Sequence, residues 1–333
     1  MPRRRSLRAG LVIAVLALVS GCGSGGGSGA EGLRLGYFLN LTHAAPIVGL
    51  EQGIYARELP GVAISTREFL AGPEAVTAML AGSLDASYLG AGPVITAASR
   101  APGRLRIVAG ANDAGAILVA RQGSGIRSLS DLAGRSVAFP GYGNTQDLAL
   151  RLVLEEQGLR PTDQGGSVRL VKVRNADIAT GLQRGQLDAA MLPEPWGTQL
   201  IANGDATLLL DATEILGGTY PTTVLVVTDE LARERPEIVR ALVRANCSAV
   251  RLVQRRPGLV VAEFGSIIKG VQGRAPSRAT LEASEARLRP TTAVDRHAMD
   301  LLIGAARRAG YLDGGVRYDD LVAPSAAAAC APG

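Results

Sequence analysis

A five-residue string occurs twice in the chain, about a hundred residues apart. Gly82–Ala86 reads GSLDA and Gly185–Ala189 reads GQLDA. Upstream of each copy lie a short strand pattern, a polar loop and a helical pattern, which ends in EQG at Glu51–Gly53 in the first half and at Glu156–Gly158 in the second. A repeat of alternating strand and helix patterns predicts an α/β fold with two similar lobes.

The repeat also predicts how the lobes are connected. We expect the first lobe to comprise residues 33–117 and 222–323 and the second lobe residues 118–221. Two apolar strand patterns, which begin at Ala116 and Thr223, lead from one lobe to the other and predict a two-strand hinge. Open α/β sheets bind ligands at the carboxyl ends of their strands, so two such edges facing each other predict a binding cleft.

The N-terminus has the pattern of a secretory signal. Four arginines precede the apolar run Leu11–Val19, which is too short to span a bilayer. The string at residues 19–22, VSGC, resembles a bacterial lipoprotein box, in which the chain is cleaved before Cys22 and the cysteine sulfur is lipidated; an ordinary signal peptide with a chance cysteine is the alternative. We therefore expect a signal peptide at 1–21, a flexible Gly/Ser tether at 22–32, and a protein anchored in the periplasm or on the outer face of the membrane.

Composition excludes several classes of function. Loss of the leader's four arginines lowers the formal net charge from +5 to +1, which removes any charge-based argument for nucleic-acid binding. An aromatic content of 4% argues against stacking surfaces for sugars or bases. His43 and His297 have no cysteine or carboxylate partner at ligand spacing, so we expect neither a metal nor a cofactor.

Two cysteines remain if Cys22 is lipidated. Cys247 lies in a helical pattern and Cys330 lies in the alanine-rich tail at 324–333. In an oxidising compartment they can form a disulfide that fixes the tail to that helix, and two unpaired thiols are the alternative.

Three loops follow strand patterns and precede helices: Asn40–Ala44, Gly90–Pro93 and Gly141–Gln146. We expect Thr42 to be a helix N-cap and the N–H groups that follow it to point into the cleft. Converging helix N-termini bind anions without a charged side chain. Ordinary turn and capping chemistry is the alternative for each loop.

The second GQLDA string leads into Pro193–Trp196, PEPW, a rigid corner at the cleft. Its tryptophan either packs under the loop or lines the pocket. A Glu194 carboxylate facing the site disfavours an anion. Asp85 and Asp188 begin their strands, at the other edge from the cleft, so we expect them to hold turns by Asx hydrogen bonds. We expect His43 to be either a ligand contact or a solvent-exposed residue.

The order of these strings resembles the solute-binding proteins of ABC importers for nitrate, taurine and aliphatic sulfonates. The resemblance covers about residues 33–312. It rests on AGPE at 71–74, AGSLDA at 81–86, GNTQD at 143–147, and GQLDA at 185–189 followed by PEPW at 193–196.

The resemblance implies a type II periplasmic-binding-protein fold, in which two α/β lobes joined by a two-strand hinge close around one ligand. No arginine or lysine stands in the matching loops, which favours recognition by helix dipoles and amides. The ligand-binding residues transferred by motif, with their loop neighbours, are Asn40, Thr42, His43, Gly72, Gly90, Ala91, Tyr142, Asn144, Thr145, Gln146, Glu194 and Trp196.

The function implied is that of a monomeric extracytoplasmic binding lipoprotein, not an enzyme. Its partners are a small-molecule ligand, the permease and ATPase subunits, and the membrane through the lipid anchor. The alternatives are a binding protein for another organic solute, such as a thiamine-precursor pyrimidine, and a sensor module for a partner kinase. An enzyme on the same scaffold is disfavoured, because the chain lacks the cysteine-rich iron motif of such relatives.

Overall fold

The computed structural model describes residues 32–324 and Cys330. The expected signal peptide, Cys22, most of the tether and most of the tail lie outside the described residues.

The described chain contains eleven strands. In chain order they are Leu33–Tyr37 (β1), Ile64–Glu68 (β2), Ala86–Leu89 (β3), Leu105–Ala114 (β4), Ala116–Arg121 (β5), Ser136–Phe139 (β6), Arg169–Lys172 (β7), Ala189–Pro193 (β8), Ala206–Leu210 (β9), Pro221–Thr228 (β10) and Leu288–Pro290 (β11).

The α-helices of the described chain are Ala44–Glu51 (α1), Ile54–Glu58 (α2), Gly72–Leu80 (α3), Ala91–Ala98 (α4), Thr145–Glu156 (α5), Asn175–Gln183 (α6), Trp196–Ala202 (α7), Asp229–Glu234 (α8), Pro236–Arg255 (α9), Pro257–Gln272 (α10), Arg278–Glu285 (α11), Arg296–Arg308 (α12) and Tyr318–Leu321 (α13). Short 3-10 helices occupy Leu41–His43, Leu129–Leu132, Thr162–Gln164 and Ile215–Gly218. None of the described helices is both long and apolar enough to cross a membrane.

The strands form two sheets in which five strands correspond in order: β2-β1-β3-β10-β4 of the first sheet matches β7-β6-β8-β5-β9 of the second. The first has the order β11-β4-β10-β3-β1-β2 and the second β7-β6-β8-β5-β9. In each sheet three strands run parallel and an antiparallel strand joins them, β10 in the first and β5 in the second. This confirms the predicted α/β fold class. We call the units built on these sheets the first and second lobes.

The aspartates of the repeated string hold the parallel strands together. The carboxylate of Asp85 accepts a hydrogen bond from the Arg34 N–H at 2.7 Å, and that of Asp188 accepts one from the Ser136 N–H at 2.9 Å. Burial acts to raise the pKa of Asp188, but the hydrogen bonds from Ser136 outweigh it and the pKa lies below its usual value. The expected Asx turns are therefore wrong, because both carboxylates bind a strand about fifty residues upstream.

Two crossovers connect the lobes. Between β4 and β5 the chain passes through Ala114, with φ 56°, and Gly115, with φ 76°. A Cβ on Gly115 would lie 2.8 Å from Thr42 Cγ2. The second crossover runs from β9 to β10, and its Tyr220 carbonyl accepts a hydrogen bond from the Ala114 N–H at 3.0 Å. The two crossovers are thus hydrogen-bonded to each other.

The C-terminal helices return mainly to the first lobe. Cys247 on α9 is buried in the first lobe's core, and its sulfur forms a disulfide with Cys330, with the two Cα atoms 5.6 Å apart. Helix α12 also contacts the second lobe, since Met299 and Leu302 share a hydrophobic cluster with Leu148 of α5. The two lobes therefore share a packed side in addition to their crossovers.

Replacing Asp188 tests the structural role of the repeated string. Asp188→Ala removes the acceptor for the Ser136 N–H and hydroxyl groups, and we expect the free energy of unfolding to fall by about 2 kcal/mol. Urea denaturation measures this. Asp300→Ala, at an exposed position of α12, is the control. Equal stability of the two variants would contradict the assignment.

Candidate functional site

Five helices of the described chain begin at a cavity between the two lobes. The cavity is lined by His43 before α1, Ala71 before α3, Gly90 before α4, Asn144 before α5, and Asn175 at the start of α6. The first-turn N–H groups of a helix have no partner within the helix, and the helix dipole makes this end positive. The cleft thus concentrates positive ends without using charged side chains.

Within the described chain, the helices that begin at the cavity have no side-chain caps, a property that they share with α2, α9 and α10. No side chain caps α1, α3, α4, α5 or α6 in the described structure. Away from the cleft, Thr228, Ser277 and Asp295 cap α8, α11 and α12 through their side chains. Asn144 has a residue type and a backbone conformation suited to capping, yet its side chain makes no cap hydrogen bond. The first-turn N–H groups of these five helices are therefore not occupied by capping side chains.

The cavity is small and uncharged, with a volume of about 30 Å³. No aspartate, glutamate, lysine or arginine of the described chain lines it. Its lining comprises Phe38, Asn40, Thr42, His43, Leu70, Ala71, Gly90, Pro93, Pro140, Asn144, Thr145, Gln146, Asn175, Pro193 and Thr222.

The lobes touch each other around this cavity. The Gly92 N–H donates to Thr145 Oγ1 at 3.0 Å, joining the first turns of α4 and α5. On the other side, Trp196 Nε1 donates to Asn40 Oδ1 at 3.1 Å, and the Leu41 N–H donates to the Glu194 carbonyl at 2.9 Å. These three hydrogen bonds join residues of different lobes.

Glycines permit the approach of α4 to α5. A Cβ on Gly90 would collide with Thr145 Oγ1. A Cβ on Gly92 would lie 2.6 Å from Thr145 N, 2.7 Å from Asn144 C and 2.8 Å from Gly143 O. All three atoms near Gly92 belong to the backbone of the second lobe, so a side-chain rotation cannot relieve the collision.

His43 is buried, with 1% of its surface exposed, which corrects the expectation of a solvent-exposed residue. Its ring stacks on Phe38 at a centroid distance of 4.6 Å, and Nδ1 accepts the Phe38 N–H at 3.3 Å. Burial lowers the pKa of His43 to about 3. The imidazole is neutral near pH 7, and because Nδ1 is an acceptor, Nε2 carries the proton.

The loop before α5 is hydrogen-bonded to a buried ion pair between Asp147 and Arg151. Asp147 Oδ2 accepts the Gly143 N–H at 2.8 Å, and Oδ1 accepts from Arg151 Nε at 2.8 Å. Arg151 also donates to Asp163 and to the Tyr311 hydroxyl, which follows α12. Burial raises the pKa of Asp147, and the charge of Arg151 opposes this shift. The network fixes the loop and ties it to the C-terminal helices.

Seven of the twelve predicted ligand-binding residues line the cavity. The loops after β1, β3 and β6 supply them, as the strand-end argument requires. They are Asn40, Thr42, His43, Gly90, Asn144, Thr145 and Gln146.

Three of the other predicted residues do not reach the cavity. Gly72 and Ala91 are buried behind it, in the first turns of α3 and α4. Tyr142 is 48% exposed, stands edge-on to Phe139 and lines an outer groove. It points outward because the loop's cavity-facing side is occupied by Asn144 and its neighbours.

Glu194 is fully buried but faces away from the cavity. Its Oε1 accepts from the Thr198 hydroxyl at 2.7 Å, its Oε2 accepts the Thr198 N–H at 3.2 Å, and Arg287 Nη1 lies 3.7 Å from Oε1. Burial raises the pKa of this carboxyl, and hydrogen bonds from Thr198 oppose the shift. The side chain caps α7, so it places no negative charge at the cavity.

Trp196 lines a groove beside the cavity, which we call the mouth groove. It has a volume of about 390 Å³ and is formed by Leu39, Asn40, Glu68, Phe69, Leu70, Arg174, Asn175, Ala176 and Trp196. Asn40, Leu70 and Asn175 line both spaces, so the groove adjoins the cavity.

The structure adds residues that the motif analysis missed. Asn175 follows β7 at the start of α6, so the strand-end argument could have found it. Phe38 and Thr222 come from strand ends that carry no matching string.

The expectation that Thr42 is a helix N-cap is wrong. Asn40 precedes the 3-10 turn Leu41–His43, and the His43 N–H donates to the Asn40 carbonyl.

The described residues contain no group of three or more metal-ligating side chains arranged to hold a metal ion.

Comparison with known proteins identifies one family model and several similar binding proteins. Residues 26–259 match the model of the NMT1-like family. The taurine-binding periplasmic protein of Escherichia coli K12 is 28% identical over 211 residues, 62% of this chain and 63% of the relative. The chain likewise spans 63% of the length of the Brucella abortus binding proteins that it matches.

Two solved structures have the same fold. The alkanesulfonate-binding protein SsuA of Xanthomonas axonopodis pv. citri, bound to MOPS, superposes with a TM-score of 0.74 at 22% identity, covering 88% of this chain and 98% of SsuA. The nitrate-binding protein NrtA of Synechocystis PCC 6803 has a TM-score of 0.73 at 15% identity, covering 90% of this chain and 85% of NrtA. The expected periplasmic-binding-protein fold is confirmed.

The protonation state of His43 can be measured directly. With its pKa lowered to about 3, we expect His43 to stay neutral between about pH 5 and pH 8, with the proton on Nε2. The unfolded chain binds a proton here near pH 6.5 and the folded chain does not, so this site destabilises the fold as the pH falls below about 6.5. Nitrogen-resolved NMR reports the state, and His297→Gln assigns the two signals. A His43 titration within that range contradicts the account.

Proposed function

Because the chain belongs to the NMT1-like family, we propose that it is the solute-binding protein of an ABC importer, which captures a small sulfonate-, taurine- or nitrate-like solute between its lobes. The observation that carries the proposal is the convergence of five helix N-termini without side-chain caps on one uncharged cavity. Helix N-termini are suited to compact oxyanions. The names of the taurine- and alkanesulfonate-binding relatives point to the same chemistry.

We assign the ligand contacts to the seven residues that the motif analysis and the cavity share. The first-turn N–H groups of α5 face the oxyanion, and the hydroxyls of Thr42 and Thr145 add donors. The Nε2–H of neutral His43 and the amides of Asn144 and Gln146 complete the shell. Trp196 contacts the part of the ligand that extends into the mouth groove.

Closure is the proposed mechanism of capture. The lobes, with boundaries at 33–117 with 222–323 and at 118–221, move about the crossovers at Ala114–Gly115 and before β10. Closing forms the hydrogen bonds from Gly92 to Thr145 and from Trp196 to Asn40. The closed form is then the one that the permease and its ATPase accept. Binding rather than catalysis is the role that we propose for the site, as the names of the taurine- and alkanesulfonate-binding relatives indicate.

We further propose that the mature protein is a monomer tethered by a lipid on Cys22, in the periplasm or on the outer face of the cell membrane. The support is the lipoprotein-like string at 19–22 and the glycine-rich sequence that follows it.

A ligand panel tests the function. We expect at least one of taurine, short alkanesulfonates and nitrate to stabilise the protein truncated before Cys22; at a hundred times its dissociation constant it adds about 2.7 kcal/mol. Thermal unfolding followed by isothermal titration calorimetry measures this, with bicarbonate and formylated aminopyrimidines as comparison ligands. A folded protein that responds to none of the three classes contradicts the proposal.

Gly92→Ala tests closure. Alanine favours helix α4, so the variant should fold, but its methyl group meets the second lobe's backbone and keeps the cleft open. We expect its affinity for the ligand found in the panel to fall at least tenfold. Gly258→Ala is the matched control, because a Cβ there meets nothing within 4 Å. Wild-type affinity in Gly92→Ala contradicts capture by closure.

A further inference from the structure

One arginine of the first lobe contacts three side chains of the second lobe. Arg287 immediately precedes β11, which pairs with β4 in the first sheet. Its Nε donates to Asp211 Oδ2 at 2.7 Å, and its Nη1 donates to Thr198 Oγ1 at 2.8 Å. The same Nη1 lies 3.7 Å from Glu194 Oε1. The arginine side chain is 19% exposed, so it forms these contacts in a largely buried space between the lobes.

Glu194 depends on this arginine because its carboxylate is fully buried. The Thr198 hydroxyl has one proton, which it donates to Glu194 Oε1, while its oxygen accepts from Arg287. A buried carboxylate that loses its cation is costly. Asp211 shares the cation, but its side chain is 23% exposed and water can hydrate it. Loss of the arginine charge would therefore affect Glu194 more than Asp211.

The backbone of Glu194 connects this ion network to the cavity. Its N–H donates to the Gly115 carbonyl in the first crossover at 2.8 Å, and its carbonyl accepts the Leu41 N–H at 2.9 Å. Leu41 lies between Asn40 and Thr42, which both line the cavity. A displacement of Glu194 would therefore disturb the crossover and the cavity loop together.

The start of α7 is the second connection to the ligand site. Glu194 Oε2 accepts the Thr198 N–H, so the carboxylate caps the first turn of α7. Trp196 is the first residue of that helix, and its Nε1 donates to Asn40 Oδ1 in the other lobe. Loss of the cap would loosen this first turn and with it the position of the indole. The contacts thus lead from Arg287 through Glu194 to the tryptophan of the mouth groove.

We propose that Arg287 is a positioning residue for the ligand site: from the first lobe it supplies the positive charge beside the Glu194 carboxylate and thereby fixes the start of α7, with Trp196 held against Asn40. Arg287 lines neither the cavity nor the mouth groove, so it acts through Glu194 and not on the ligand. The effect on ligand binding rests on the proposed function of the cleft, whereas the effect on Trp196 does not.

Tryptophan fluorescence tests the positioning directly, because Trp196 is the sole tryptophan of the chain. Arg287→Met keeps an apolar stem but removes the charge. We expect acrylamide to quench this variant about twofold more strongly than the wild type, since the indole leaves Asn40 when the cap weakens. Arg278→Met is the control, because Arg278 is 81% exposed and pairs with Glu282 of its own helix. Wild-type quenching in Arg287→Met overturns the proposal.

A second substitution separates charge from packing. When Glu194→Gln is combined with Arg287→Met, the neutral amide can donate to the Thr198 hydroxyl, which no longer accepts from arginine, and can accept the Thr198 N–H. We expect quenching to return to the wild-type value. A double variant quenched as strongly as Arg287→Met overturns the proposal. If Arg287→Met alone does not fold, a folded double variant with wild-type quenching supports the proposal, and an unfolded one overturns it.

Calorimetry with taurine, ethanesulfonate and nitrate as probes tests the consequence for binding. We expect the affinity for any probe that binds the wild type to fall about tenfold in Arg287→Met and to recover in the double variant. Unchanged affinity overturns the role of Arg287 in ligand binding. A wild type that binds none of the probes contradicts the proposed function, and the role in binding with it, while fluorescence still decides whether Arg287 positions Trp196.

Discussion

Close contact between the first turns of α4 and α5 determines how the cleft is built. Gly90 and Gly92 lack side chains where the second lobe's backbone and Thr145 approach, so two helix N-termini from different lobes meet directly. With larger residues the lobes would stop short, and the positive ends of the helices would face solvent rather than each other. The same contact sets the small volume of the cavity, about 30 Å³, and thereby the compactness of the ligand group that fits inside.

Under the proposed function, this arrangement holds a charged group without a charged side chain in the cavity lining. Placing a lysine or arginine in the cleft would carry a desolvation cost in the unliganded state. Helix N–H groups are fixed by the fold and need no such charge, and leaving their caps empty keeps them available. Burial likewise lowers the pKa of His43 to about 3, so the imidazole at the cavity is neutral. Glu194, the one carboxylate at a predicted position, is used to cap α7 and is held by Thr198 and Arg287.

Much of the fold and the position of the cleft could be predicted from the sequence, because the repeat marks equivalent loops. Once the GSLDA and GQLDA strings were placed before β3 and β8, the strand-end rule located Asn40, Gly90 and Asn144 at the cleft. Side-chain direction could not be predicted in the same way. Whether Tyr142 or Glu194 faces the cavity depends on contacts with Phe139, Thr198 and Arg287, which lie at varied separations along the chain. The burial of His43, whose ring stacks on Phe38, likewise depends on packing rather than on a sequence pattern.

The repeated aspartates show the same division between pattern and packing. Their equivalence was visible in the sequence, but their partners, Arg34 and Ser136, lie on strands about fifty residues away.

A crystal structure with a bound ligand from the sulfonate, taurine or nitrate panel tests the central claim most directly. The account predicts ligand density between the first turns of α4 and α5, with Asn144, Thr145 and His43 in contact and the hydrogen bond from Gly92 to Thr145 formed. Density confined to an outer groove, or an open cleft with the cavity empty at saturating ligand, would contradict it.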